Sequence, residues 1–169
     1  VEFNNTNLID HMTGYDRHIK QLSQTIGGYV QNEWQSDALN LVIGARLDKN
    51  NLIDHVIVSP RANVRYTPIK NLILRAGYTS GYRAPQAYDE DLHVMAVGGE
   101  ASLIVLDPEL RPEYSHSVTA SADMYATAGK VQFNVLVEGF YTSLNDVFTL
   151  VEQHADAAGN QVLMRTNAD

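Results

Sequence analysis

The serines at 115, 117 and 121 are the first hydroxyls whose spacing invites a chemical reading. They alternate along one stretch, and no base or orienting acid stands in a fixed relation to them. A nucleophile needs both within hydrogen-bond reach, so the three read as hydroxyls on a wet strand face. Asp89-Glu90-Asp91 followed by His93 offers carboxylates and an imidazole, the ligand types of hard and borderline metals. The run lacks the regular acidic spacing and the turn glycine of a calcium loop, and it reads as an acidic solvated loop. His116 falls on an apolar register and reads as a satisfied surface histidine. Gly98-Gly99 is a flexible turn, because no helix start or P-loop lysine follows it. The residues therefore point away from an enzyme, and no cofactor or metal is expected.

Composition narrows the classes further. The chain has 169 residues, a formal charge of −8 and no cysteine. Disulfides and thiolate metal sites are excluded. The acidic balance argues against nucleic acid, whose phosphates require a basic footprint. No apolar run approaches the length of a membrane helix, which says nothing about a barrel, whose strands are only half apolar.

The elements that position these residues read as strands. Leu72, Leu74, Ala76 and Tyr78 fall on one face, against Arg75, Gly77 and Thr79 on the other. That period of two marks a sheet greasy on one side. The same pattern predicts strands at 24–34, 39–48, 61–66, 72–82, 114–125, 131 to about 152, and 161–167. Residues 1–20, rich in Asn, Asp and His, read as loop. Thr67-Pro68-Ile69-Lys70-Asn71 reads as a tight turn with Pro68 at its second position. Pro60 fits only a strand's beginning or a bulge. Asn145-Asp146 is a candidate bulge, and residues 101–106 are apolar enough for a short strand. Short turns (35–38, 67–71, 127–130) alternate with long links (48–59, 83–111, 153–160). Tight turns thus gather at one end of the sheet and long loops at the other, as in outer-membrane barrels. Trp34, Tyr66, Tyr78 and Tyr141 are candidates for an aromatic girdle near the strand ends. On the residues alone two readings stay open: the apolar face meets lipid, or it packs on a second sheet as in a sandwich.

Two motifs favour lipid. Gly81-Tyr82-Arg83-Ala84-Pro85 ends one strand, and Leu110-Arg111-Pro112-Glu113 opens the next after a long excursion. In that order, with Glu138-Gly139-Phe140-Tyr141-Thr142 and Asn145-Asp146-Val147-Phe148 downstream, they resemble the TonB-dependent receptors of the Gram-negative outer membrane. The resemblance implies an all-β fold. It would be an antiparallel up-and-down meander of about seven strands, a section of a plugged barrel of about 22 strands. Residues 1–169 would belong to the later part of that barrel, roughly a third of it, with 84–110 a long extracellular loop. No glycine-rich plug sequence is visible. The parent would bind a ferric siderophore, haem, cobalamin or glycan outside the cell and import it when the TonB complex acts on the plug. The piece alone would not transport. It would meet outer-membrane lipid, and its open edges or apolar face would associate with another copy. Tyr82, Arg83, Tyr88, Asp89 and His93, near the outer end, become candidates for ligand contact, since Tyr stacks and Arg holds carboxylates in two-pronged fashion. The alternatives are a soluble all-β carbohydrate- or ligand-binding sandwich module and, more distantly, a smaller barrel acting as enzyme or porin.

Overall fold

A computed structural model describes residues 1–12, 17–85, 102–155, 159 and 161–168. The regular elements are all strands: β1 (Glu2–Met12), β2 (Arg17–Gln35), β3 (Leu39–Asn50), β4 (Ile57–Ile69), β5 (Leu72–Arg83), β6 (Ser102–Leu106), β7 (Glu113–Ala128), β8 (Val131–Asn145), β9 (Phe148–Gln153) and β10 (Gln161–Asn167). Seven form one antiparallel sheet in the order β1-β2-β3-β4-β5-β7-β8. The other three make a small sheet, β6-β10-β9, with β10 parallel to β6 and antiparallel to β9.

The seven-stranded meander is as expected, but its membership differs. Residues 1–20, expected as loop, supply β1 and the start of β2, paired from Glu2↔Gly27 to Met12↔Arg17. β3 joins β2 only as far as Asn50↔Thr25. Most of the β1–β2 hairpin therefore runs past the shared sheet. No common apolar surface imposes alternation there, so ladder hydrogen bonds form without the usual sequence signal. The strand at 161–167 was expected in the same meander and sits in the small sheet instead. The path expected to run from 131 to about 152 is broken at Asp146, a left-handed residue with a φ of 54°, where the β7–β8 ladder has reached the start of β7. Aspartate tolerates that conformation better than most, and the chain leaves the main sheet there. Pro68 is a further correction. β4 runs through it to Ile69, with a register shift between Tyr66 and Ile69. Thr67 N bonds Ala38 O at 2.7 Å, and the proline, having no N–H, rides in the irregularity. Pro60 pairs with Ala45 of β3 one residue beyond the last β4–β5 pair, Arg61↔Thr79. Its missing donor thus falls where β4 has lost one neighbour.

Register assembles the apolar faces into one stripe. Ile43, Ala62, Tyr78, Val118 and Tyr141 form one line across five strands. Leu39, Tyr66, Leu74, Ala122 and Val137 form another. None of these side chains is buried; Val137 is 65% exposed and Tyr141 70%, and Val30, opposite Ala45 on the same face, is 72% exposed. The small sheet pairs with no strand of the main one, and no layer of described residues covers the stripe. A β-sandwich buries just this face, so that alternative fails. Trp34 and Tyr66 lie toward the short turns. Tyr78 sits in mid-β5, but it is the last residue but one of the β4–β5 ladder. Among the described residues the buried apolar core is small: Ile53, Ile57 and Ala84, with Tyr82 and Tyr114 packed against them. They cluster at the long-loop end, where the chain must hold its own loops.

Candidate functional site

The long-loop end is built first by asparagines. Asn50 is 1% exposed. Its amide donates to Thr25 Oγ1 at 2.7 Å, and its carbonyl oxygen accepts from Leu52 N at 2.8 Å. Asn51 accepts from Gln24 N at 2.6 Å and donates to Leu22 O at 2.8 Å. The turn at 51–56 is thereby sewn to β2, and Ile53 and Ile57 are pressed inward. His55 Nε2 lies 2.9 Å from Tyr114 OH, which ties the same turn to β7.

Next to this cluster three sequence motifs converge. Arg83, at the end of β5, lies across from Glu113, and its guanidinium stands 5.3 Å from the centroid of the Phe148 ring. Arg165 of β10 approaches the same ring at 6.0 Å. Glu113 accepts from Phe148 N at 3.1 Å. Arg111 forms an ion pair with Asp146 at 2.7 Å. Asn167 accepts from Arg111 N at 2.8 Å and donates to Arg111 O at 3.0 Å and Asp146 O at 2.6 Å. The strand-opening motif at 110–113 is thus the clamp that holds the small sheet against the large one. Asp107 completes it: its carboxylate accepts from Glu109 N and from Thr166 Oγ1, each at 2.9 Å. The Glu109 amide first, and the Thr166 hydroxyl second, hold the Asp107 carboxyl below its ordinary value of 3.8.

The polar face of the large sheet carries a second arrangement. Near the long-loop end, Arg46 pairs with both Glu2 and Asp48 at 2.8 Å. A Cβ on Gly27 would overlap the Asp48 carboxylate and come within 2.6 Å of the Arg46 guanidinium, so this knot requires glycine there. Toward the short turns, Arg65 stands directly opposite Arg75. The two line a hollow of about 250 Å³ with Asn40, Asn63, Thr119, Ser121 and Glu138. Ser117 faces the same way and shares a hydrogen bond with Thr142 at 2.9 Å, as a wet-face hydroxyl should. His116, on the other face, is 2.9 Å from Tyr78 OH and stacks on its ring, the satisfied histidine that its register suggested.

Of the candidate ligand residues, Tyr82 packs against the buried cluster at 53, 57 and 84, and Arg83 stands over Phe148. The structure brings these two to the root of the long loop. Tyr88, Asp89 and His93 lie outside the described residues, as does the acidic run at 89–91. Among the described residues no group of three His, Cys, Asp or Glu is placed to hold a metal. Sequence reasoning missed Phe148 as a cation seat and Asn167 as a three-way tie. The motif pair at 83 and 111 was the signal, since both ends of one loop must meet somewhere.

A family model described as TonB dependent receptor-like, β-barrel, matches residues 1–168. No curated protein matches the chain. Among solved structures, the siderophore receptor PirA from Pseudomonas aeruginosa superposes with a TM-score of 0.71 at 18% identity. That match covers 90% of this chain and 30% of the other. The chain therefore spans about a third of the receptor it resembles.

Proposed function

We propose that this chain, which belongs to the TonB-dependent receptor β-barrel family, is a wall section of an outer-membrane receptor that takes up a scarce nutrient. One observation carries the reading. The apolar stripe is continuous across the strands of the main sheet and is met by no protein layer among the described residues. Exposed apolar area on that scale marks a membrane or partner surface, and a one-sided strand pattern is what a barrel wall shows to lipid. The opposite face, with Arg46, Arg61, Arg65, Arg75 and Glu138, lines the wet interior.

Seven strands do not close a lumen of this class, so uptake belongs to the whole barrel of about 22 strands and its plug. TonB would act on that plug, as in the family. Residues 84–110 form an extracellular loop in this reading, and its root is the packed cluster around Tyr82 and Tyr114. Tyr82, Arg83, Tyr88, Asp89 and His93 then belong to the region that meets the ligand. The likeness to a siderophore receptor makes a ferric siderophore the leading class, ahead of haem, cobalamin and glycans. Two measurements test the reading. An epitope inserted between residues 86 and 101 is expected to be labelled by antibody on intact cells. Labelling only after permeabilisation would invert the topology. Uptake of a ferric siderophore by the receptor carrying this section is expected to need TonB. Uptake that persists without it would remove the chain from active import.

A further inference from the structure

The β1–β2 hairpin carries a pair of side chains that the wall does not use. β3 pairs with β2 only as far as Thr25, and His18 lies seven residues beyond, about 23 Å along a strand. There His18 stands directly opposite His11 in an unbroken antiparallel register. Both side chains are exposed. Their rings meet edge to face, with centroids 5.3 Å apart and planes at 77°. His55 and His116, by contrast, each lie 2.9 Å from a tyrosine hydroxyl. The spacing of 11 and 18 in the sequence matches no ligand motif, and only the register brings them together.

The ladder sets this closeness. Gln24 turns both backbone groups toward Asn51: its N–H donates to Asn51 Oδ1 at 2.6 Å, and its carbonyl accepts from Asn51 N at 3.0 Å. Leu22 O accepts from the Asn51 side-chain amide at 2.8 Å. Residues 22 and 24 thus point their backbone groups away from β1, and in an antiparallel ladder every second residue does the same. His18 belongs to that series. His11↔His18 is therefore a pair without mutual backbone hydrogen bonds, the kind whose side chains approach most closely, with Cβ atoms about 4.5–5.5 Å apart. β1 and β2 alone place it.

Two imidazoles at that spacing on one face make a chelate. Zinc sits about 2.0–2.1 Å from an imidazole nitrogen with tetrahedral angles, and two rings so bound have centres about 5 Å apart. The observed 5.3 Å is close to that spacing, so rotation about the side-chain bonds suffices. We propose that His11 and His18 form a two-histidine site for a borderline divalent transition metal, Zn²⁺ first, with water completing the shell. Imidazole suits Zn²⁺, Cu²⁺ and Ni²⁺, whereas Ca²⁺ and Mg²⁺ take oxygen ligands. A bound ion staples β1 to β2 beyond the end of β3. The site is separate from nutrient uptake and does not depend on the sheet being a barrel wall.

The test is calorimetry of Zn²⁺ alone against the receptor carrying this section, in detergent at neutral pH. His11→Ala and His18→Ala are each expected to weaken binding about tenfold or more, since losing a ligand costs at least what losing an outer-shell partner does. His154→Ala, at an exposed histidine elsewhere in the chain, leaves it unchanged. Acid weakens binding, because protons compete for the imidazole nitrogens. Moving the pair tests the register. Ile9 and Lys20 are the next pair of the same kind. With both histidines replaced by alanine, Ile9→His and Lys20→His together restore Zn²⁺ binding, and either alone does not. Hydrogen exchange gives a second readout: Zn²⁺ slows the amides of 7–11 and 18–22, and does not in His18→Ala. No Zn²⁺ binding, binding that the alanine variants keep, or a relocated pair that fails to restore it overturns the site. None of these outcomes touches the wall reading, which the epitope and uptake measurements decide.

Discussion

Asn167 shows how much a single side chain decides here. Its amide bridges the start of β7 to the break between β8 and β9, through Arg111 and Asp146. Removing it leaves several backbone groups without partners, at about 1–3 kcal/mol for each that stays dry. Asn167→Ala is therefore expected to free the small sheet while the large sheet persists. Hydrogen exchange should show β9 and β10 losing protection and β3–β5 keeping it. Asp107 gives the same clamp a pH dependence. Its folded pKa is lowered, so its contribution is complete above the ordinary value of 3.8 and is lost as pH falls through the lower, folded value. Acidification is expected to release the Glu109 and Thr166 contacts, as read by NMR of those residues. Asp107→Asn should remove the transition. Gly27 makes a third test. Alanine there must displace the Arg46–Asp48 pair, an overpacking worth about 1–3 kcal/mol, seen as a lower unfolding temperature. None of these roles was legible in the sequence, because each depends on which distant strand lies opposite. Tyr82 and Arg83 stand at the loop root, packed against neighbours that the sequence did not name.

At the scale of the strand, alternation did most of the work. β3 and β5 begin where their patterns begin, and their faces divide as the residues foretold. Reading failed where the period was not enforced. β1 carries little apolar pattern because most of it pairs with β2 alone, past the end of β3. β10 has a strand's composition, but composition does not say which sheet it joins. The chain leaves the large sheet at Asp146, a left-handed residue upstream, and β10 pairs with β6 and β9. Pro68 was read as a turn because proline usually breaks a ladder, yet a register shift let β4 pass through it. Where alternation is enforced, it should have a measurable sign. Val64→Arg puts a charge on the lipid side and is expected to cost about 2–4 kcal/mol if it lies near mid-bilayer. Gln31→Arg, on the polar side, should cost close to nothing. Denaturant titration in lipid vesicles compares the two, and equal costs would mean that the faces do not differ in solvent.

The molecule as a whole is a curved wall with two ends of different character. One end has tight turns and little packing. The other carries the buried cluster, the asparagine-stitched turn and the small sheet. Among the described residues β1 and β8 are open edges of the large sheet, and open edges seek a further strand. In the family that strand is supplied by the rest of a barrel. The division between greasy and wet faces is what joins fold to function, and β4 lies at the centre of the sheet. Spin labels placed singly at positions 61 to 66 in bilayers test it directly. The labels at Ala62, Val64 and Tyr66 should collide with oxygen, and those at Arg61, Asn63 and Arg65 with a water-soluble nickel complex. Collision rates that show no period of two, or the opposite phase, would contradict the account.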